Sequence, residues 1–141
     1  MSAEAKTKTD NTPKGILLDT AKAIQLAQGH LDKARDAADN PRIADEITVE
    51  HKSLEAFATQ LTQAGTIADD DLFTKTTGAL KLQAASLPSV SEQIKKIASY
   101  TNTPNQASVY MQQAINYITL ASGIMAKLPW CKQGRILPPC M

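Results

Sequence analysis

Three prolines in this chain each follow a polar residue at the head of a long amphipathic stretch: Thr12-Pro13, Asn40-Pro41 and Thr103-Pro104. Proline lacks the N–H that a helix interior needs, but at the first helical position that donor has no intrahelical acceptor to lose. A side-chain oxygen on the preceding residue can accept from the free N–H groups of the first turn. Each pair therefore reads as an N-cap followed by a helix start. The prolines divide the chain into rods before any other residue is weighed.

Five helical segments are predicted: 13–38, 41–64 stopping near Gly65, 69–86 ahead of Pro88, 90–100, and 104–127 ahead of Pro129. Ser89 with Glu92, and Thr103 with Gln106, match the capping-box pattern. The acidic run Asp69-Asp70-Asp71 suits the positive end of a helix dipole. Apolar residues recur at three-four spacing. In the first segment these are Leu17, Ala21, Ile24, Leu31, Ala34 and Ala38. In the second they are Ile43, Ile47, Leu54, Phe57, Leu61 and Ala64, interrupted at Glu50 and His51. No stretch alternates with period two beyond a few residues, so no sheet is expected.

Rods of this length with short joints favour an all-α fold, an antiparallel four- to five-helix bundle. Segments 69–86 and 90–100 form one rod kinked at Pro88 in the four-helix version. Residues 1–12 read as a disordered lead-in, 13–128 as the bundle, and 129–141 as an irregular Pro-rich tail packed on the bundle or on a partner. Aromatic residues are only 4% of the chain, so the core must be aliphatic and alanine-rich. Gly29, Gly78 and Gly123 fall inside predicted helices, where close helix crossings are expected to explain them.

The formal net charge of +1 offers no general field for nucleic acid. Glu92 against Lys95, Lys96, Lys127, Lys132 and Arg135 makes the C-terminal third mildly basic, too dispersed for a nucleic-acid site. The polar start has no apolar run like that of a secretory leader, which points to the cytoplasm, with leaderless secretion as the alternative.

Segment 104–127 differs from the others because no charged residue occurs between Asn105 and Ala126. Met111, Ile115, Ile118 and Met125 form one apolar stripe; Tyr110, Ala114, Tyr117, Ala121 and Ile124 form a second. A helix apolar over so much of its circumference is buried or binds something. Its most apolar portion, 114–126, is shorter than the ~20 residues a bilayer span requires.

Sites for chemistry are scarce. His51 follows Glu50 on a helix, but Leu54, Glu55 and Ala56 fill the next turn, and an acidic group there repels an incoming phosphoryl group. Glu46, Glu50 and His51 share two turns, with His30 available from the first segment. The paired Glu-x-x-His motifs of di-metal bundles are absent, so no metal and no cofactor is expected. The Asp69–Asp71 run lacks the spacing and glycine of a calcium loop.

The tail holds the single tryptophan, Trp130, and both cysteines. Pro129, Pro138 and Pro139 bar helix, while Trp130, Ile136 and Leu137 each gain about 1.5–3 kcal/mol from burial. Cys131 and Cys140, with eight residues between them, can close a disulfide in an oxidising compartment and stay thiols in the cytosol. The expectation is a non-enzymatic protein-binding module of adaptor, inhibitor or effector type. It acts through its C-terminal helix and tail, with Tyr110, Tyr117, Trp130, Arg135, Ile136 and Leu137 as contact residues. The partner is another protein, with a homodimer as one form. A membrane- or lipid-surface-active helical protein is the alternative.

Overall fold

A computed structural model describes residues 12–38, 40–100 and 106–128. They form five helices: α1 Pro13–Ala37, α2 Pro41–Ala64, α3 Asp70–Ala84, α4 Leu87–Ser99 and α5 Gln106–Met125. No strand occurs among the described residues. The protein is an all-α bundle, as its periodicity requires.

The helix starts follow the cap logic. Thr12 Oγ1 accepts from the Gly15 N–H at 3.1 Å, Asn40 Oδ1 from the Arg42 N–H at 2.8 Å, and Asp69 Oδ1 from the Leu72 N–H at 2.8 Å. The Thr103 cap lies outside the described residues. The Ser89–Glu92 capping box is not a helix start. α4 begins at Leu87, its N-cap Ser86 makes no side-chain cap bond, and Pro88 sits in the first turn. Proline there breaks nothing, because its missing N–H would have been free anyway. The chain turns at Ala85 and Ser86 instead, and the buried Leu87 anchors the new helix.

α1 packs extensively along both α5 and α2, and α4 rests on α5 and α2. The order is antiparallel around the bundle. The end of α1 meets the start of α2, where His51 Nε2 lies 3.2 Å from Asp32 Oδ1. At the other end, a Cβ on Gly65 would stand 3.1 Å from Leu18 Cδ2. His30, late in α1, stacks on Tyr110 and Tyr117, early in α5. α3 begins beside the start of α1, with the Lys14 ammonium 5.6 Å from the Phe73 ring centre. α3 and α4 together supply the third rod, kinked at its middle.

The core is aliphatic. Ile16, Leu17, Ile24 and Leu31 of α1, Ile47, Leu54 and Leu61 of α2, Ile94 of α4, and Met111, Ile118 and Met125 of α5 are fully buried. Burying each such chain is worth about 1.5–3 kcal/mol. Ala21, Ala27, Ala34, Ala58, Ala114 and Ala121 line the seams between them and let the helices approach. Two of the glycines do not serve this purpose. Gly29 and Gly123 are exposed, and a Cβ on either would meet nothing within 4 Å. They lie on the outer faces of α1 and α5, so close crossing does not explain them. Gly78 is buried in α3.

Candidate interaction surface

The seam between α1 and α5 holds Tyr110, Tyr117 and His30. Tyr110 and Tyr117 are seven residues apart, two turns along one face of α5. Both are half-buried against the core. His30 of α1 lies nearly parallel to Tyr117, with ring centres 5.3 Å apart and planes 10° apart; its distance to Tyr110 is 6.5 Å. Offset ring pairs at such distances attract through their quadrupoles as well as through burial. Lys33, one turn beyond His30, holds its ammonium 5.8 Å from the Tyr110 ring centre. His30 Nδ1 is buried and has no hydrogen-bond partner.

Beside this stack, large apolar side chains reach the surface. Val109 and Leu120 of α5 are each 50% exposed, and so is Leu26 of α1. Because the two helices run antiparallel, Leu26, one turn before His30, comes level with Leu120, one turn after Tyr117. The rest of the outer face of α5 is made of exposed Gln112, Asn116, Thr119 and Gly123, without a charge. Gln112 and Asn116 bond to each other through their side chains at 3.1 Å, which keeps those amides along the helix surface.

The histidines do not converge. His30 faces α5, whereas His51 belongs to a polar cluster at the opposite seam. There Asp32 Oδ1 lies 2.8 Å from Arg35 Nη2 as well as 3.2 Å from His51 Nε2, and Arg35 Nη1 donates to Thr48 Oγ1 at 3.5 Å. His30 therefore does not join Glu46, Glu50 and His51, and Glu46 pairs with Arg42 at 3.4 Å. Half-burial without a compensating cation pushes the Glu50 carboxyl above its ordinary 4.5. Among the described residues no three His, Cys, Asp or Glu side chains come together as a metal site needs. No described helix is long and apolar enough to cross a membrane.

Two grooves of about 310 Å³ open elsewhere, one between α4 and α5 and one between α2 and α3. The first is floored by Ile115 and Ile118 and edged by Ser91, Glu92 and Lys95; the second is edged by Gln60, Gln63 and Gln83.

Of the sequence-predicted contact residues, Tyr110 and Tyr117 share this seam. Trp130, Arg135, Ile136 and Leu137, and the cysteines Cys131 and Cys140, lie outside the described residues. His30, Leu26 and Leu120 were missed. The tyrosine spacing was visible along one helix, but the chain carries no local signal for which residue of α1 stands opposite it. No family model, curated protein or solved structure matches this chain.

Proposed function

We propose that this protein is a non-enzymatic protein-binding module, and that it contacts its partner through the outer face of α5 and the adjoining seam with α1. The observation that carries this reading is the uncharged, half-apolar strip of Val109, Tyr110, Tyr117 and Leu120 on the surface of a helix whose other side fills the core. Half-buried aromatic and exposed large aliphatic groups on a rigid helix can serve as anchors of a helix-mediated interface. Charged side chains, which cost most to desolvate, are absent from α5 itself, while Lys33 of α1 stands over the Tyr110 ring at the edge of the strip.

Affinity capture from the native host, with the retained protein identified, tests the reading. Tyr117→Ala is expected to weaken that partner by about 2 kcal/mol, roughly 30-fold in Kd. Leu120→Glu should weaken it further, while Leu72→Glu on α3 should leave it unchanged. A partner held equally well by all three variants excludes this face. A second copy of the chain as partner is separated by sedimentation of the purified protein.

A lipid-surface role would have to withdraw α5 from the bundle, because Met111, Ile118 and Met125 are fully buried. Co-flotation with vesicles at neutral pH, accompanied by loss of the His30–Tyr117 contact, would favour that alternative over protein binding.

A further inference from the structure

α2 and α3 touch only sparsely, and the space between them is open. Two hollows lie end to end along this side of α2. One, of about 310 Å³, is floored by Ala64 and Leu80 and edged by Gln60, Gln63 and Ala79. The next, of about 250 Å³, continues past Gln83, which lines both, over Phe57 and Leu87 to Ser53 and Ala56. No residue lining either hollow carries a charge. Together they form a cleft from Ser53 to Ala64, ~16 Å along α2. The exposed side chains of Gln60, Gln63 and Gln83 put amide donors and acceptors on its rim.

A charged group buried in this cleft would find no opposite charge among its walls, so its occupant must bring an uncharged ridge. Among the described helices, α5 alone contains no charged residue. Its Val109, Gln113, Asn116 and Leu120 follow one another at helical spacing along the outer face, again ~16 Å from first to last. Val109 and Leu120 are the apolar ends of that ridge, and the two amides lie between them. Ridge and cleft do not meet within one chain, because α1 and α4 each pack on both α2 and α5 and hold those two helices at opposite corners of the bundle. We propose that the cleft between α2 and α3 receives the α5 ridge of a second copy of this chain. The proposal names a partner for the α5 face and rests on the function proposed above. The contact is heterologous: each copy gives its ridge to one neighbour and its cleft to another, so association continues past the dimer. A single helix ridge in a groove is a small interface, with Kd of roughly 0.1–1 mM.

Sedimentation of the full chain at concentrations up to ~1 mM tests this. The average mass should rise with concentration and pass that of a dimer. Ala79→Glu places a charge on an exposed position of the cleft, and Leu120→Glu places one on the ridge. Each variant alone should associate at least tenfold more weakly than the parent. Mixed in equal amounts they should form a dimer and stop there, because one keeps its ridge and the other its cleft. Failure of the two to complement each other overturns the proposal, since like faces would then be meeting. Association that Ala79→Glu leaves intact overturns it too. The unsubstituted chain gives an independent measurement: amide signals of Ala79 and Gln83 should shift with concentration together with those of Asn116 and Leu120. Shifts on α5 alone overturn the cleft as its receptor. A parent that stays monomeric, while Tyr117→Ala still weakens a protein captured from the host, sinks the self-association and leaves the α5 reading standing. Association and host capture that both ignore Leu120→Glu sink the two together.

Discussion

α1 and α3 begin in the same way and end in different places. Each starts at a side-chain cap, Thr12 in one and Asp69 in the other, so their local signals are of equal quality. α1 then buries Ile16, Leu17, Ile24 and Leu31 between α2 and α5. α3 buries a single large aliphatic chain, Leu80, and leaves Leu72 and Leu82 more than half exposed. A cap decides where a helix begins; it contributes ~1 kcal/mol, far less than a row of buried aliphatic chains. The two helices therefore share a code for their starts and differ in what holds them down. α3 should open locally while α1 opens only with the whole fold.

The largest expected effect tests that difference directly. Ile24→Ala removes a wholly buried chain from the centre of α1 and should cost about 3–4 kcal/mol in urea unfolding. Leu80→Ala should cost about 2 kcal/mol, because thinly packed surroundings can collapse around the gap. Equal losses would mean that α3 is as integral as α1. Hydrogen exchange sharpens the comparison: amides in α3 should exchange through openings at least ~2 kcal/mol below the global value, and those of α1 at the global value.

Next in size is the cap. Asp69→Ala removes the acceptor of the Leu72 N–H and should cost about 1 kcal/mol. The loss should be read mostly in α3 amide exchange and little in the global transition. A loss of the same size in both would join α3 to the cooperative core.

Much of this architecture is legible in the sequence because caps and stripes are local. Pro13 and Pro41 mark their helix starts, and the stripe from Ile43 to Ala64 is buried as its spacing implies. The start of α4 was misread, since Ser89 and Glu92 satisfy a capping pattern while the real anchor, Leu87, is chosen by burial against other helices. Gly29 and Gly123 show the same limit from the other side: a glycine in a helix does not declare whether a neighbour stands over it. At the candidate interface, the tyrosine pair belongs to one helix and is readable. His30 opposite Tyr117 depends on the register of α1 against α5, which no short window of residues encodes.

A smaller pair of effects should have opposite signs in the two helices. Thr20 of α1 is fully buried and its hydroxyl donates to the Ile16 carbonyl at 2.7 Å. Thr77 of α3 is equally buried, and its hydroxyl has no hydrogen-bond partner. Thr20→Val gives up a hydrogen bond and should cost about 0.5–1 kcal/mol. Thr77→Val removes a polar atom that lost water without replacement, and should be neutral or stabilising by up to ~1 kcal/mol. A loss on Thr77→Val would show that the hydroxyl finds a partner in solution, and that α3 is better satisfied than this contrast makes it.

The smallest effect asks whether the well-packed side of the molecule is free of such costs, and Glu50 indicates that it is not. Its half-buried carboxylate interrupts the apolar stripe of α2 between Ile47 and Leu54, and desolvation raises its pKa from 4.5. A raised folded-state value means that the folded chain holds this proton more tightly than the unfolded chain does. The contribution to stability is therefore fully present below 4.5 and is lost as pH rises through the raised value. Glu50→Gln keeps the shape and stays neutral throughout. Its unfolding free energy should exceed the parent's at pH 7, and the gap should close as both are titrated below pH ~4. A gap of constant size across that range would trace the benefit to packing or helix propensity. A variant less stable than the parent at pH 7 would mean that the carboxylate has found a cation, and that the α1–α2 side is satisfied to its last charged group after all.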